Sequence, residues 1–168
     1  NNCTGITNPM DLSNWTNLEC AGSYGVFLFL SGADNVSSIN LSGWNLPNVT
    51  NAGSMLYYVG SSATNGCDFI LDNMTWGVTT SLNSFMQGAK IKTLSMDNWT
   101  LPASNTCQMK GIFYNSETGT AGSIALDLSS WSNTNNITDM TNFMRANSTT
   151  SSPFSSLNTT GWNTSGVT

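Results

Sequence analysis

ALDLSSWSNTNNITDMTNFM, residues 125 to 144, is one full copy of a pattern used along the whole chain. Leu126 and Leu128 flank the polar Asp127, and apolar–polar–apolar alternation is the period of a half-buried strand. Trp131 follows, then the polar loop 132–136 and Ile137. Thr138 stands immediately before DMTNFMR, residues 139 to 145; a Thr before an apolar-periodic run is a helix N-cap signal. The stretch therefore predicts a short strand, a tryptophan corner, a polar loop and about two turns of helix.

The same pattern recurs outward along the chain. Five positions before Trp15, Trp44, Trp76, Trp99, Trp131 and Trp162 stand Met10, Ile39, Leu71, Leu94, Leu126 and Leu157, all apolar. Four before stand Asp11, Asn40, Asp72, Ser95, Asp127 and Asn158, all small and polar. Further helix-like runs lie at Ser54–Val59, Ser81–Met86 and Gln108–Tyr114, with Gly, Ser and Asn marking the returns between units. Helices this short are marginal alone and need a neighbouring repeat to pack on. The fold expected is an α/β repeat: one solenoid domain over residues 1–168, leucine-rich-repeat-like, of about six strand–Trp–loop–helix units centred on the six tryptophans.

The quoted pattern, LDLSSWSNTNNITDMTNFM, together with LSGWNLPNVTNAGSML at residues 41 to 56, resembles the LDLSxWDTSNVTDMSxMF repeat of the BspA-like leucine-rich-repeat surface proteins. The likeness is partial at Leu94–Phe113 and Leu157–Thr168, and weak before Gly32. Two features depart from the family: the longer, less regular spacing, and the missing Asp after each Trp. The resemblance implies a solenoid and a cell-surface, adhesive or structural role, and it carries no catalytic residues.

Composition bounds the partners. Only 8% of residues are charged and the net charge is −5, with Lys90, Lys92, Lys110 and Arg145 the whole basic complement. Clusters of Lys and Arg are what phosphate neutralisation needs, so nucleic acid and anionic membrane surfaces are poor partners. The longest apolar run, Val26–Leu30, is too short to enter a bilayer as a span. Asn, Ser and Thr account for 69 of the 168 residues and supply the polarity that charge normally would.

The cysteines and sequons suggest an extracellular compartment. Cys3, Cys20, Cys67 and Cys107 are even in number, lack CxxC spacing and have no His beside them, since the chain has none. Two disulfides are the reading. Three pairings exist, and sequence proximity favours Cys3–Cys20 with Cys67–Cys107. Asn-x-Ser/Thr occurs at Asn2, Asn14, Asn35, Asn40, Asn48, Asn73, Asn98, Asn136, Asn147, Asn158 and Asn163, so N-linked glycans are expected.

Catalytic chemistry finds little support. Without His, no Ser-His-Asp or Cys-His arrangement is available. A carboxylate pair such as Asp72 and Asp127 leaves a glycosidase formally open. The row Asp11, Asn40, Asp72, Ser95, Asp127, Asn158 offers either a shallow ligand face for glycan or weak Ca²⁺, or an Asx/Ser ladder that solvates the sheet. The ladder is favoured, because a tight Ca²⁺ site takes six to eight oxygens. The tryptophans read as core. No cofactor or metal is expected.

The expectation from sequence is thus an extracellular, glycosylated structural or surface protein and not an enzyme. The open strand–Trp element near Met10–Trp15 and the half-repeat at Trp162–Thr168 suggest head-to-tail assembly with itself into a fibre or coat, or a segment of a longer chain. The alternative is an adhesin or carbohydrate-binding module that uses the polar strand face, with glycans or other surface proteins as partners.

Overall fold

The structure, a computed structural model, describes residues 9–15, 25–103, 106–117, 123–146 and 152–168. The chain winds as a β-solenoid of about four complete turns, with partial turns at each end, rather than six full units. Every named strand pair is parallel, as winding in one sense requires.

One side of the coil carries β1 (Met10–Asp11), β2 (Ser38–Asn40), β4 (Cys67–Ile70) and β6 (Ile91–Ser95) as a four-stranded sheet in that order. The pair β8 (Ile124–Asp127) and β10 (Phe154–Asn158) occupies this side farther along the chain. The next side pairs β3 (Asn45–Leu46) with β5 (Thr75–Trp76), and single bridges extend it through Thr100 to Ser132. The third side runs from Asn51 through Ser81 to β7 (Cys107–Gln108) and β9 (Ile137–Asp139). Inward residues fill a continuous core: Ile39 and Phe69 on the first side, Leu46 and Trp76 on the second, Cys107 and Ile137 on the third.

The fourth side is where the predicted helices fail. Segments 53–60, 83–88, 110–115 and 141–144 are ladders of overlapping turns, not helix. Within a turn, Phe85 N–H donates to Leu82 O, Gln87 to Ser84 O and Ala89 to Met86 O. The intervening N–H groups point along the axis: Ser84 donates to Lys110 O, Met86 to Ile112 O and Gly88 to Tyr114 O, each about 2.8–3.0 Å. Donors thus alternate between their own coil and the next. The backbone manages this by placing every fourth residue at positive φ. Leu28, Ser54, Ser84, Gly111 and Asn142 stack as one such column, and Gly32, Tyr58, Gly88 and Asn115 as another. A right-handed helix cannot accept those dihedrals.

The misreading has a physical cause. A conformation that repeats every four residues turns side chains inward at i, i+3, i+4 and i+7. Ala52, Met55, Leu56 and Val59 are buried at those offsets, as are Leu82, Phe85, Met86 and Ala89. That is also the signature of an amphipathic helix. The only helical turn among the described residues is the 3-10 turn Thr134–Asn136.

The tryptophans form a column of coil-to-coil staples. Indole N–H groups donate backward to a backbone oxygen of the preceding coil: Trp44 to Leu12 O (2.8 Å), Trp131 to Met96 O (2.6 Å), Trp162 to Leu128 O (2.7 Å), and Trp99 to Leu71 O. Trp99 and Trp131 stack at 4.6 Å, and Trp131 and Trp162 at 5.3 Å. Trp76 does not belong to this column. It pairs with Leu46 in β3/β5, two residues beyond the equivalent position, which Met74 holds. Its N–H is buried with no partner among the described residues. Trp44, Trp76, Trp99 and Trp131 are core, as expected, but Trp15, in the first described coil, is 48% exposed.

Candidate functional site

The shifted Trp76 changes the polar row. In the observed register β1, β2, β4 and β6 place Asp11, Asn40, Ile70 and Ser95 side by side, and β8 and β10 add Asp127 and Asn158. Asp72 is not in the row: Ile70 takes its place and stands 38% exposed. Asp72 lies instead in the turn that follows β4. There it reaches the next coil, accepting from Ser95 Oγ at 2.5 Å and from Asp97 N–H at 2.9 Å.

Asp11, Asn40, Asp127 and Asn158 of the row close Asx turns. Asp11 Oδ1 accepts from both the N–H and Oγ of Ser13, Asn40 Oδ1 from those of Ser42, and Asn158 Oδ1 from those of Thr160. Asp127 Oδ1 accepts from Ser129 N–H and its Oδ2 from Asn158 Nδ2. The Ser13 and Ser129 bonds hold the Asp11 and Asp127 carboxyls below their ordinary range. These oxygens are already engaged in ending strands. Asp72 and Asp127 sit on different rows, Asp72 in the turn after β4 and Asp127 at the end of β8. Among the described residues no three His, Cys, Asp or Glu side chains converge as metal ligands would.

Several concavities lie off the row, and two of them bear on binding. An open groove of about 500 Å³ runs beside the strand starts, lined by Asn35, Ser37, Ser62, Asn65, Asp68 and Lys92 among others. Asp68 accepts from Lys92 Nζ (2.9 Å) and Thr93 Oγ1 (2.7 Å). Partial burial works to raise its pKa, but the Thr93 and Lys92 bonds outweigh that and hold the carboxyl low. Lys90 Nζ is committed to the return loop, donating to Ala63 O and Thr64 O. A second, smaller cavity of about 260 Å³ opens on the turn side, lined by Ser31, Gly32, Asp34, Tyr57, Tyr58 and Ser61. Sequence reasoning passed over these tyrosines, which sat inside a predicted helix. Tyrosine at a position that takes Gly in the neighbouring coils was the available signal.

The cysteine expectation is corrected. Cys67 and Cys107 are both buried free thiols on different sides of the coil, Cys67 at the start of β4 and Cys107 at the start of β7. Nearness in sequence misleads here because one turn of the solenoid carries the chain through all its sides. Burial raises both thiols to about 12, so neither is a thiolate at neutral pH. Cys3 and Cys20 lie outside the described residues.

The sequons divide by how their amides are used. Asn14, Asn48 and Asn163 are exposed. Asn73 and Asn98 are exposed neighbours, Asn98 Nδ2 donating to Asn73 Oδ1 at 3.2 Å. Asn35 and Asn158 donate to Asp34 and Asp127. Asn40 is half-buried in β2. Asn136 is half-buried and donates to Pro102 O at 2.6 Å, a bond a glycan would disturb. Asn2 and Asn147 lie outside the described residues.

No family model, curated protein or solved structure matches the chain.

Proposed function

We propose that this is an extracellular, glycosylated, non-catalytic surface protein whose solenoids assemble head to tail into a fibre or coat. The observation that carries the reading is the exposure of core-type side chains on the first and last described coils. Trp15 lies over Trp44 at 6.4 Å and is 48% exposed, while Leu157 in the last described coil is 39% exposed. Their equivalents in the middle coils, Trp44 for Trp15 and Ile39 and Phe69 for Leu157, are fully buried. Among the described residues β1 and β10 likewise pair on one side only, with β2 and β8. Complementary ends that do not close on themselves generate filaments. The resemblance to BspA-like surface repeats and the exposed sequons support the same placement.

Electron microscopy and light scattering of the purified protein test this. Rods of indefinite length, shortened to single particles by Trp15→Asp or Leu157→Asp, are the expected result. Monodisperse single particles of the unaltered protein at high concentration would overturn it.

A second reading, an adhesive module that binds glycans, is favoured by the tyrosine-walled cavity on the turn side. There an aromatic ring, hydroxyls and a carboxylate converge.

A further inference from the structure

The cavity beside Tyr58 combines three features that stability alone does not explain. The first is backbone strain. Tyr58 sits at φ 57, a region that bulky side chains rarely occupy and that costs on the order of 1–3 kcal/mol for a non-glycine residue. Its column equivalents are Gly32, Gly88 and Asn115, the types that tolerate it.

The second is the room made for the ring. A Cβ on Gly88 would come within 2.9 Å of Tyr58 Cε1 and Cζ, so the ring lies against bare backbone. On the other side Gly32 lines the cavity and contributes no side chain to fill it. Tyr58 remains 43% exposed, and Tyr57 meets it edge-on at 4.5 Å.

The third is a fixed carboxylate in the same cavity. Asp34 is held by Asn35 Nδ2 on Oδ1 (3.1 Å) and Ser62 Oγ on Oδ2 (3.3 Å), which leaves further acceptor capacity on both oxygens. Its backbone oxygen takes the N–H groups of Ser62 and Ala63, which ties the return loop to the site.

We infer that Tyr58, Tyr57 and Asp34 form a sugar-binding subsite for a neutral hexopyranose. The inference rests on the adhesive reading above. An exposed aromatic face meets the C–H face of a pyranose, while a carboxylate accepts from adjacent sugar hydroxyls. Ser31 and Ser61 offer further donors. A concave site with an apolar wall and a few placed polar groups is the usual form of a small-ligand pocket. Asp34 within a chain of net charge −5 selects against sialylated or sulfated sugars.

The test is a printed array of oligosaccharides ending in glucose, galactose, mannose or N-acetylglucosamine, with sialylated and sulfated arms, probed with the intact protein and followed by calorimetry on the strongest neutral sugar. Tyr58→Gly is expected to lose about tenfold or more in affinity. The same variant should keep or raise the unfolding midpoint, because Gly relieves the strained backbone. Asp34→Asn should weaken binding and leave the fold intact, and Tyr58→Asn serves if the glycine variant folds poorly. Binding retained by both Tyr58 variants would overturn the subsite and leave the adhesive reading standing. No binding of any neutral sugar would overturn both.

Discussion

Trp131 and Trp76 show what position does to one side chain. Both are buried, but Trp131 donates to Met96 O while the Trp76 N–H has no partner. Trp131→Phe should therefore cost about 1–3 kcal/mol, through the orphaned carbonyl as well as lost packing. Trp76→Phe should cost less, because it removes a donor that is already unsatisfied. Urea unfolding of the two variants measures the difference. The buried thiols make a second residue-scale prediction. An acid whose folded pKa lies above its unfolded value lends stability that is lost as pH rises past the unfolded value. Between pH 9 and about 12 the unfolded chain releases the Cys67 and Cys107 protons and the folded chain keeps them. Thermal midpoints should fall across that window, and a Cys67→Ala, Cys107→Ala variant should fall less steeply. Peptide-level maleimide mapping should find both thiols protected in the folded protein and labelled in denaturant, which a Cys67–Cys107 disulfide would not permit.

At the scale of elements, the turn ladder sets the tolerances. Ser84 sits at φ 58 in a column that Gly111 and Asn142 continue. Ser84→Gly should raise stability by about 0.5–1 kcal/mol, read from the urea midpoint. Gly77 is the opposite case: a Cβ there would lie 2.4 Å from Pro47 O and 2.6 Å from Pro47 Cα, backbone that cannot swing aside. Gly77→Ala should cost about 1–3 kcal/mol or more on the same measurement. These ladders also mark where sequence reading stopped. The strands at Ile39, Leu94, Leu126 and Leu157 were legible because alternation with period two has one common structural meaning. The fourth side was not, because Leu82, Phe85, Met86 and Ala89 carry a spacing that helix and stacked turn share; only the Ser84–Gly88 offset separated them. The polar row was legible except at Asp72, where alignment on tryptophan slipped by two residues, since Met74 and not Trp76 is the equivalent of Trp44 and Trp99. The tyrosine cavity was hidden because Gly32 and Tyr58 meet only once the coils are stacked.

For the whole molecule, each coil touches its neighbours and little else, so stability is close to a sum of coil and interface contributions. Hydroxyls take part in those interfaces from within: Thr79 Oγ1 donates to Val49 O and Ser116 Oγ to Met86 O, both from buried positions. At the surface, the carboxyls of Asp11, Asp68, Asp127 and Asp139 are all held below their ordinary value by hydrogen bonds, two of them from residues of an adjacent coil. A depressed folded pKa lends stability that is present above the unfolded value and lost as pH falls through the folded one. The thermal midpoint should therefore hold from pH 7 to about 5 and decline below the model-compound carboxyl value of 3.8. Circular dichroism across that range reads it.

The alternation of donors on the turn side has a mechanical meaning. Because Ser84, Met86 and Gly88 direct their N–H groups along the solenoid axis, the bonds between coils lie parallel to any pull on the two ends. Tension along that axis bears on a whole rung at once: strand bridges on three sides, turn bonds on the fourth, and an indole staple within. Torque at one edge bears on a single bond and opens the rung like a zip. The same molecule is stiff to stretching and yields to peeling, one coil at a time from whichever end is left uncovered.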